Sequence, residues 1–153
     1  MKRTHLSLKT LLIATLLSMA AQAHAQLQLI SEAEAQASRA APEPMTMKAV
    51  PVPGAPQINL LTPSLSGAVP SPTRIQLRFV PTAPAVIVPD SFKVRYGSFR
   101  LDITARLKGS AQVTAEGIDV SEATLPKGSH KLYIEIQDSV GRLGERLVQF
   151  AVE

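Results

Sequence analysis

Three kinds of side chain in this 153-residue chain could carry chemistry, each constrained by what surrounds it, and a fourth is absent. His130 is the first. The other two histidines, His5 and His24, lie in a leader-like N-terminus, so His130 is the one imidazole expected in the mature protein. Its neighbours Ser129 and Lys131 supply no metal ligand, and it shares strand parity with Leu132, Ile134 and Ile136. That parity predicts a histidine at a strand entrance, its ring closing the core and a nitrogen bonded to a nearby carbonyl. A serine-histidine-aspartate triad lacks a Gly-x-Ser-x-Gly elbow here. Asp138, eight residues further along the same element, would stand about 26 Å away at strand rise and cannot orient the ring.

The second kind is the thioether pair Met45 and Met47, whose soft sulfurs suit Cu(I). Two methionines in a proline-rich stretch also serve as ordinary apolar residues, and this is the preferred reading. The third is a set of bases, Arg74, Arg78, Lys93 and Arg95, each at an outward position of an alternating segment. If they share the outer face of neighbouring strands, they form a candidate cationic binding face for an anionic envelope component or an acidic protein surface. The competing reading is a solvated face whose bases pair across strands with acids from the C-terminal part. Residues 57–110 carry seven bases and two acids, and residues 111–153 carry four bases and seven acids, so both readings have material. The fourth kind is missing: there is no cysteine, which removes disulfides, thiolate nucleophiles and cysteine zinc sites.

The elements that must position these residues follow from composition shifts along the chain. Residues 1–25 have the three parts of a secretory signal peptide: Lys2, Arg3 and Lys9, then the apolar run Leu11 to Ala21, then Ala23-His24-Ala25. The run is too short to cross a bilayer, which needs roughly 17 residues. Cleavage after Ala25 leaves a chain starting at Gln26, with no membrane span expected, in the periplasm or the medium. Three of the 16 basic residues leave with the leader, and the remaining 13 face 12 acids, a net charge of +1. So near-neutral a product is a poor partner for nucleic acid.

Residues 26–56 read as a flexible arm. Ser31-Glu32-Ala33-Glu34 is a capping-box pattern ahead of the helix formers Ala35 to Ala41. Such a short helix is marginal in water unless it docks. Pro42, Pro44, Pro51, Pro53 and Pro56 then mark an extended linker.

From residue 57 to 153 the hydrophobic period becomes two. Ile75, Leu77 and Phe79 alternate with charges, as do Phe92, Val94 and Tyr96, then Phe99 to Leu107, then Leu132, Ile134 and Ile136, with Val148, Phe150 and Val152 closing the chain. Short strands are expected at Ile58 to Leu61, Ala85 to Val88 and Gln112 to Ala115. Turn residues separate them, and no helical period intervenes. About seven half-buried strands predict an all-β fold, a two-sheet antiparallel sandwich.

The run Leu125-Pro-Lys-Gly128-Ser-His130 leading to Asp138-Ser-Val-Gly141, followed by Val148-Gln-Phe150-Ala-Val152, resembles the last two strands of bacterial immunoglobulin-like domains. Phe92 to Leu107 fits the middle strands of that family less specifically. The resemblance implies an immunoglobulin-like sandwich, a fold that serves adhesins, chaperones, enzyme accessory modules and metal carriers alike. The resulting expectation is a non-catalytic exported binding or scaffold module, with no cofactor, interacting with another cell-envelope protein through a sheet edge, a loop cluster or its arm. The alternative is a periplasmic copper or other metal carrier of the CopC-like type using Met45, Met47 and His130. The chain departs from those carriers in starting at Gln26 rather than at a histidine.

Overall fold

The computed structural model describes residues 27–42 and 52–153. In chain order the elements are β1 (Leu27–Gln28), α1 (Glu32–Ala40), β2 (Gln57–Thr62), β3 (Thr73–Val80), β4 (Ile87–Tyr96), β5 (Leu101–Asp102), α2 (Thr104–Lys108), β6 (Gly117–Thr124), β7 (Gly128–Asp138) and β8 (Leu143–Val152). They form two four-stranded sheets, ordered β1-β6-β3-β2 and β5-β4-β7-β8. Among these strands all pairings are antiparallel except that of β1 with β6. The chain is a β-sandwich. Its inner faces carry the alternating apolar sets read from the sequence: Ile75, Leu77 and Phe79 from one sheet, Phe92, Val94, Tyr96, Leu132, Ile134 and Ile136 from the other. Phe79 meets Phe92 across the gap, with ring centroids 5.7 Å apart.

Three expectations need correction. The first concerns the arm. Residues 27–42 are not a loose tether: β1 pairs with β6, and Leu29 and Ile30 are 0% and 1% exposed within the core. The capping box forms as expected, with Ser31 Oγ accepting from the Glu34 amide at 3.3 Å and the Ser31 amide donating to Glu34 Oε2 at 2.9 Å. Two further contacts hold the helix down. Arg106 of α2 donates to both carboxylate oxygens of Glu34 and to the Leu29 carbonyl. Ser98 donates two hydrogen bonds of 3.1 Å to Ser38, its amide to Oγ and its hydroxyl to the carbonyl. A helix of nine residues is marginal alone, and burial of Leu29, Ile30 and Ala35 supplies what its own hydrogen bonds do not.

The second correction is that Phe99 to Leu107 is not one strand. Phe99 stands 65% exposed, β5 has two residues, and α2 follows. Ile103 and Leu107 are the buried members. Being four apart, they satisfy one helical turn as well as they satisfy alternation, so the pattern could not separate the two.

Third, Gln112 to Ala115 contributes only a bridge from Val113 to Ile118, whereas the strand itself is β6. A register irregularity explains the miss. Thr73 pairs with Ala123 and Ile75 with Val120, so β6 spends one extra residue and its buried set, Ile118, Val120 and Ala123, breaks the period of two. The expected segments at 85–88 and 92–96 are one strand, β4, with a shift between Val88 and Lys93.

Candidate functional site

His130 enters β7 and points into the sandwich, 2% exposed. Its Nε2 lies 2.7 Å from the Pro126 carbonyl, an acceptor only, so Nε2 carries the proton. Nδ1 therefore accepts from the Tyr96 hydroxyl at 2.9 Å. The ring sits between Tyr96 and Phe150, with centroids 5.8 and 5.5 Å away. Burial pushes its pKa below the ordinary imidazole value, and the Pro126 carbonyl opposes that only in part. The same burial pushes Tyr96 up. Both nitrogens of His130 are thus engaged, and neither lone pair nor proton is free for a metal or a substrate without breaking one of these bonds.

Asp138 sits at the other end of β7, inside the hairpin to β8. Its carboxylate accepts from the amides of Val140 and Arg142 at 3.1 and 2.9 Å and from Arg142 Nε at 2.7 Å. Burial raises its pKa, but these donors outweigh burial and hold it below the usual carboxylate range. It clamps a turn and is remote from His130. Met45 and Met47 lie outside the described residues, and among the described residues no group of three or more His, Asp or Glu side chains could hold a metal ion.

The four bases of the candidate cationic face do not share one. Arg74 and Arg78 stand on β3, in one sheet, while Lys93 and Arg95 stand on β4, in the other. Because both strands turn their apolar residues inward, the two pairs of bases point away from each other, on opposite sides of the sandwich. Arg74 makes a two-pronged bond to Asp119 of β6, and Arg95 pairs with Glu135 of β7. Asp119 is held low by that guanidinium. Cross-strand pairing of early bases with late acids, the competing reading, describes these two contacts.

Between the sheets lies a partly open apolar cavity of about 20 Å³ lined by residues including Ile75, Leu77, Leu132 and Phe150. That is room for about one water, and its walls offer such a water no polar partners. The wider hollows are open surface grooves. One of about 580 Å³ runs beside Val80, Pro81 and Val86 at the end of the sandwich where the Asp138 hairpin lies. There the Ser139 amide donates to the Val86 carbonyl at 2.8 Å and the Val86 amide donates to Ser139 Oγ at 3.2 Å. These bonds fix Val86 to the hairpin that carries Val140, and the two residues are 59% and 65% exposed. Val80 lines the same groove and is also exposed. Periodicity placed no site in this loop cluster, although Ser-Val-Gly in a turn, an apolar residue where solvent is expected, was the available signal.

Comparison of the chain with protein-family models, with curated proteins and with solved structures finds no match to any of the three. Among the described residues no helix is long and apolar enough to cross a membrane.

Proposed function

We propose that this chain is an exported, non-catalytic immunoglobulin-like module that binds another protein of the cell envelope through the loop cluster around Val80, Val86 and Val140. The leader-like N-terminus supports export. The strand and hairpin residues from Leu125 to Val152 support the immunoglobulin-like type. The observation that carries the binding reading is the exposure of Val80 and Val86 along one groove and of Val140 in the hairpin bonded to Val86, with Ser139 and Asp138 holding the turns. Apolar side chains clustered in solvent on an ordered frame are a signature of a docking surface. The docked arm makes the loop cluster a better presenting surface than residues 26–41.

The test is retention of the purified mature protein on envelope extracts, compared with Val86→Asp/Val140→Asp and with the quadruple Arg74→Gln/Arg78→Gln/Lys93→Gln/Arg95→Gln. Loss of about tenfold or more in the first variant, at unchanged circular dichroism, is the expected result. Loss in the second variant with retention in the first would reject the valine cluster in favour of an electrostatic partner.

A further inference from the structure

The groove that holds Val80 and Val86 has a charged wall, because Arg78 lines it as well. On β3 the buried residues Leu77 and Phe79 alternate with Arg78 and Val80, so the last two share the outward face, about 7 Å apart at strand rise. Across the sheet, Arg78 stands between Asn59 of β2 and Gly117 of β6. Neither offers a carboxylate, and Gly117 puts no side chain beside the guanidinium. The fold requires that gap, since a Cβ on Gly117 would strike the Leu77 carbonyl.

Every other arginine among the described residues is engaged. Arg39, Arg74, Arg95, Arg106 and Arg142 each meet a carboxylate, Arg146 donates to the Ile58 carbonyl, and Arg100 lies over the ring of Tyr133. Arg78 has no hydrogen bond, ion pair or ring contact among the described residues. Glu116 also lines the groove but makes no ion pair with it. An exposed guanidinium with all its donors uncommitted thus stands beside an exposed apolar side chain. A carboxylate matches that planar fork with two parallel bonds. The negative charge of Glu116 on the same groove penalises a more highly charged anion, such as phosphate, more than a single carboxylate. The valines, in turn, reward a partner that brings apolar surface with its charge.

Given the docking role proposed for the valine groove, on which this rests, we infer that Arg78 binds a carboxylate of the partner, and that the docked segment is an extended stretch of protein carrying Asp or Glu two residues from an apolar side chain. The spacing comes from the shared face of Arg78 and Val80, because side chains on one face of an extended partner also recur about every 7 Å. Arg78 then selects among apolar partners, and the valines supply the contact that every such partner shares.

The probes are two peptides, acetyl-Gly-Val-Thr-Glu-Thr-Val-Gly-amide and its counterpart with Gln in place of Glu, titrated into the protein and followed by NMR at the Arg78 Nε–H and the Val80, Val86 and Val140 amides. The Glu peptide is expected to bind wild type about threefold or more tighter than the Gln peptide. Arg78→Gln, an exposed site with no partner to lose, should leave the circular dichroism unchanged and remove that difference. Val86→Ser/Val140→Ser should weaken both peptides and keep their ratio. Equal affinities in wild type, no binding of either peptide, or a Glu preference that survives Arg78→Gln would each overturn the role of Arg78. If the affinities are equal but the serine variant weakens both, the valine groove stands and only Arg78 is removed from it. A serine variant that binds both peptides as wild type does would instead sink the groove, and with it the acid-and-apolar partner. Displacement of the Glu peptide by inorganic phosphate at equal concentration, or Arg78-dependent binding to phosphatidylglycerol vesicles, would overturn the inference in favour of a phosphate-bearing partner.

Discussion

The contact between Glu34 and Arg106 holds the arm to the sandwich, and its strength can be worked from the structure. Arg106 donates to both carboxylate oxygens, the Ser31 amide and hydroxyl add two more bonds, and the Glu34 pKa falls from 4.5 to about 2. The Arg106 hydrogen bonds are the largest cause. At about 1.4 kcal/mol per unit the full shift corresponds to about 3 kcal/mol. A quarter of the Glu34 side chain and more than a third of that of Arg106 face water, and screening reduces the pair to about 1–2 kcal/mol. The perturbation is a double-mutant cycle: wild type, Glu34→Gln, Arg106→Met and the double variant, each unfolded in urea and followed by circular dichroism. The cycle also subtracts the bond from Arg106 to the Leu29 carbonyl, which both Glu34 backgrounds share. A carboxylate whose folded pKa is depressed stabilises fully above its unfolded value and loses that contribution as pH falls through the folded one. The coupling should thus be about 1–2 kcal/mol at pH 7 and should decay between about pH 4.5 and 2. Other carboxylates titrate in the same window but cancel in the cycle. A coupling below about 0.3 kcal/mol, or one that acid leaves unchanged, would refute the account of how the arm is held.

Three more outcomes follow from the same structure. Leu29→Ala should cost about 2–5 kcal/mol in urea unfolding, a core-sized loss for a residue in what reads as a linker arm, and a loss under about 0.5 kcal/mol would mean the arm is not packed. His130 is kept neutral when folded and titrates at its ordinary value when unfolded, so the unfolded chain binds more protons and stability should fall as pH drops below about 6.5. A thermal melt series should show that slope in wild type and lose it in His130→Phe, while Tyr96→Phe, which leaves Nδ1 without its donor, should cost about 1–3 kcal/mol at neutral pH. Gly117→Ala should destabilise strongly, because its φ of 153° is unfavourable for a side chain and a Cβ there would strike the Leu77 carbonyl, whereas Gly67→Ala, with nothing near it, should leave the melting temperature unchanged.

Reading the chain by period worked where every second residue faced the same layer. In β3, β4 and β7 the buried residues are those the alternation selected. His130 fell on the inward parity, and the sequence anticipated its bond to a carbonyl. Reading failed where two periods coincide, as at Ile103 and Leu107, and where an extra residue shifts the parity, as in β6 after Val120. It failed for the cationic face for a different reason. Arg74 and Lys93 carry identical outward signatures, and nothing local says that the turn between β3 and β4 crosses from one sheet to the other.

The amino-acid sequence alone determined the extended backbone, the inward set of side chains, the capping box of α1 and the lack of thiol chemistry, because each depends on residue type and on spacing within a few positions. Tertiary structure decided which sheet each strand joins, where the arm seats, and that Arg74 and Arg95 spend their charge on Asp119 and Glu135. Those outcomes are set by contacts between residues tens of positions apart, such as Glu34 with Arg106 and Tyr96 with His130. Local pattern has no term for such contacts: their energy comes from two surfaces leaving water together, and exists only once the chain has closed on itself.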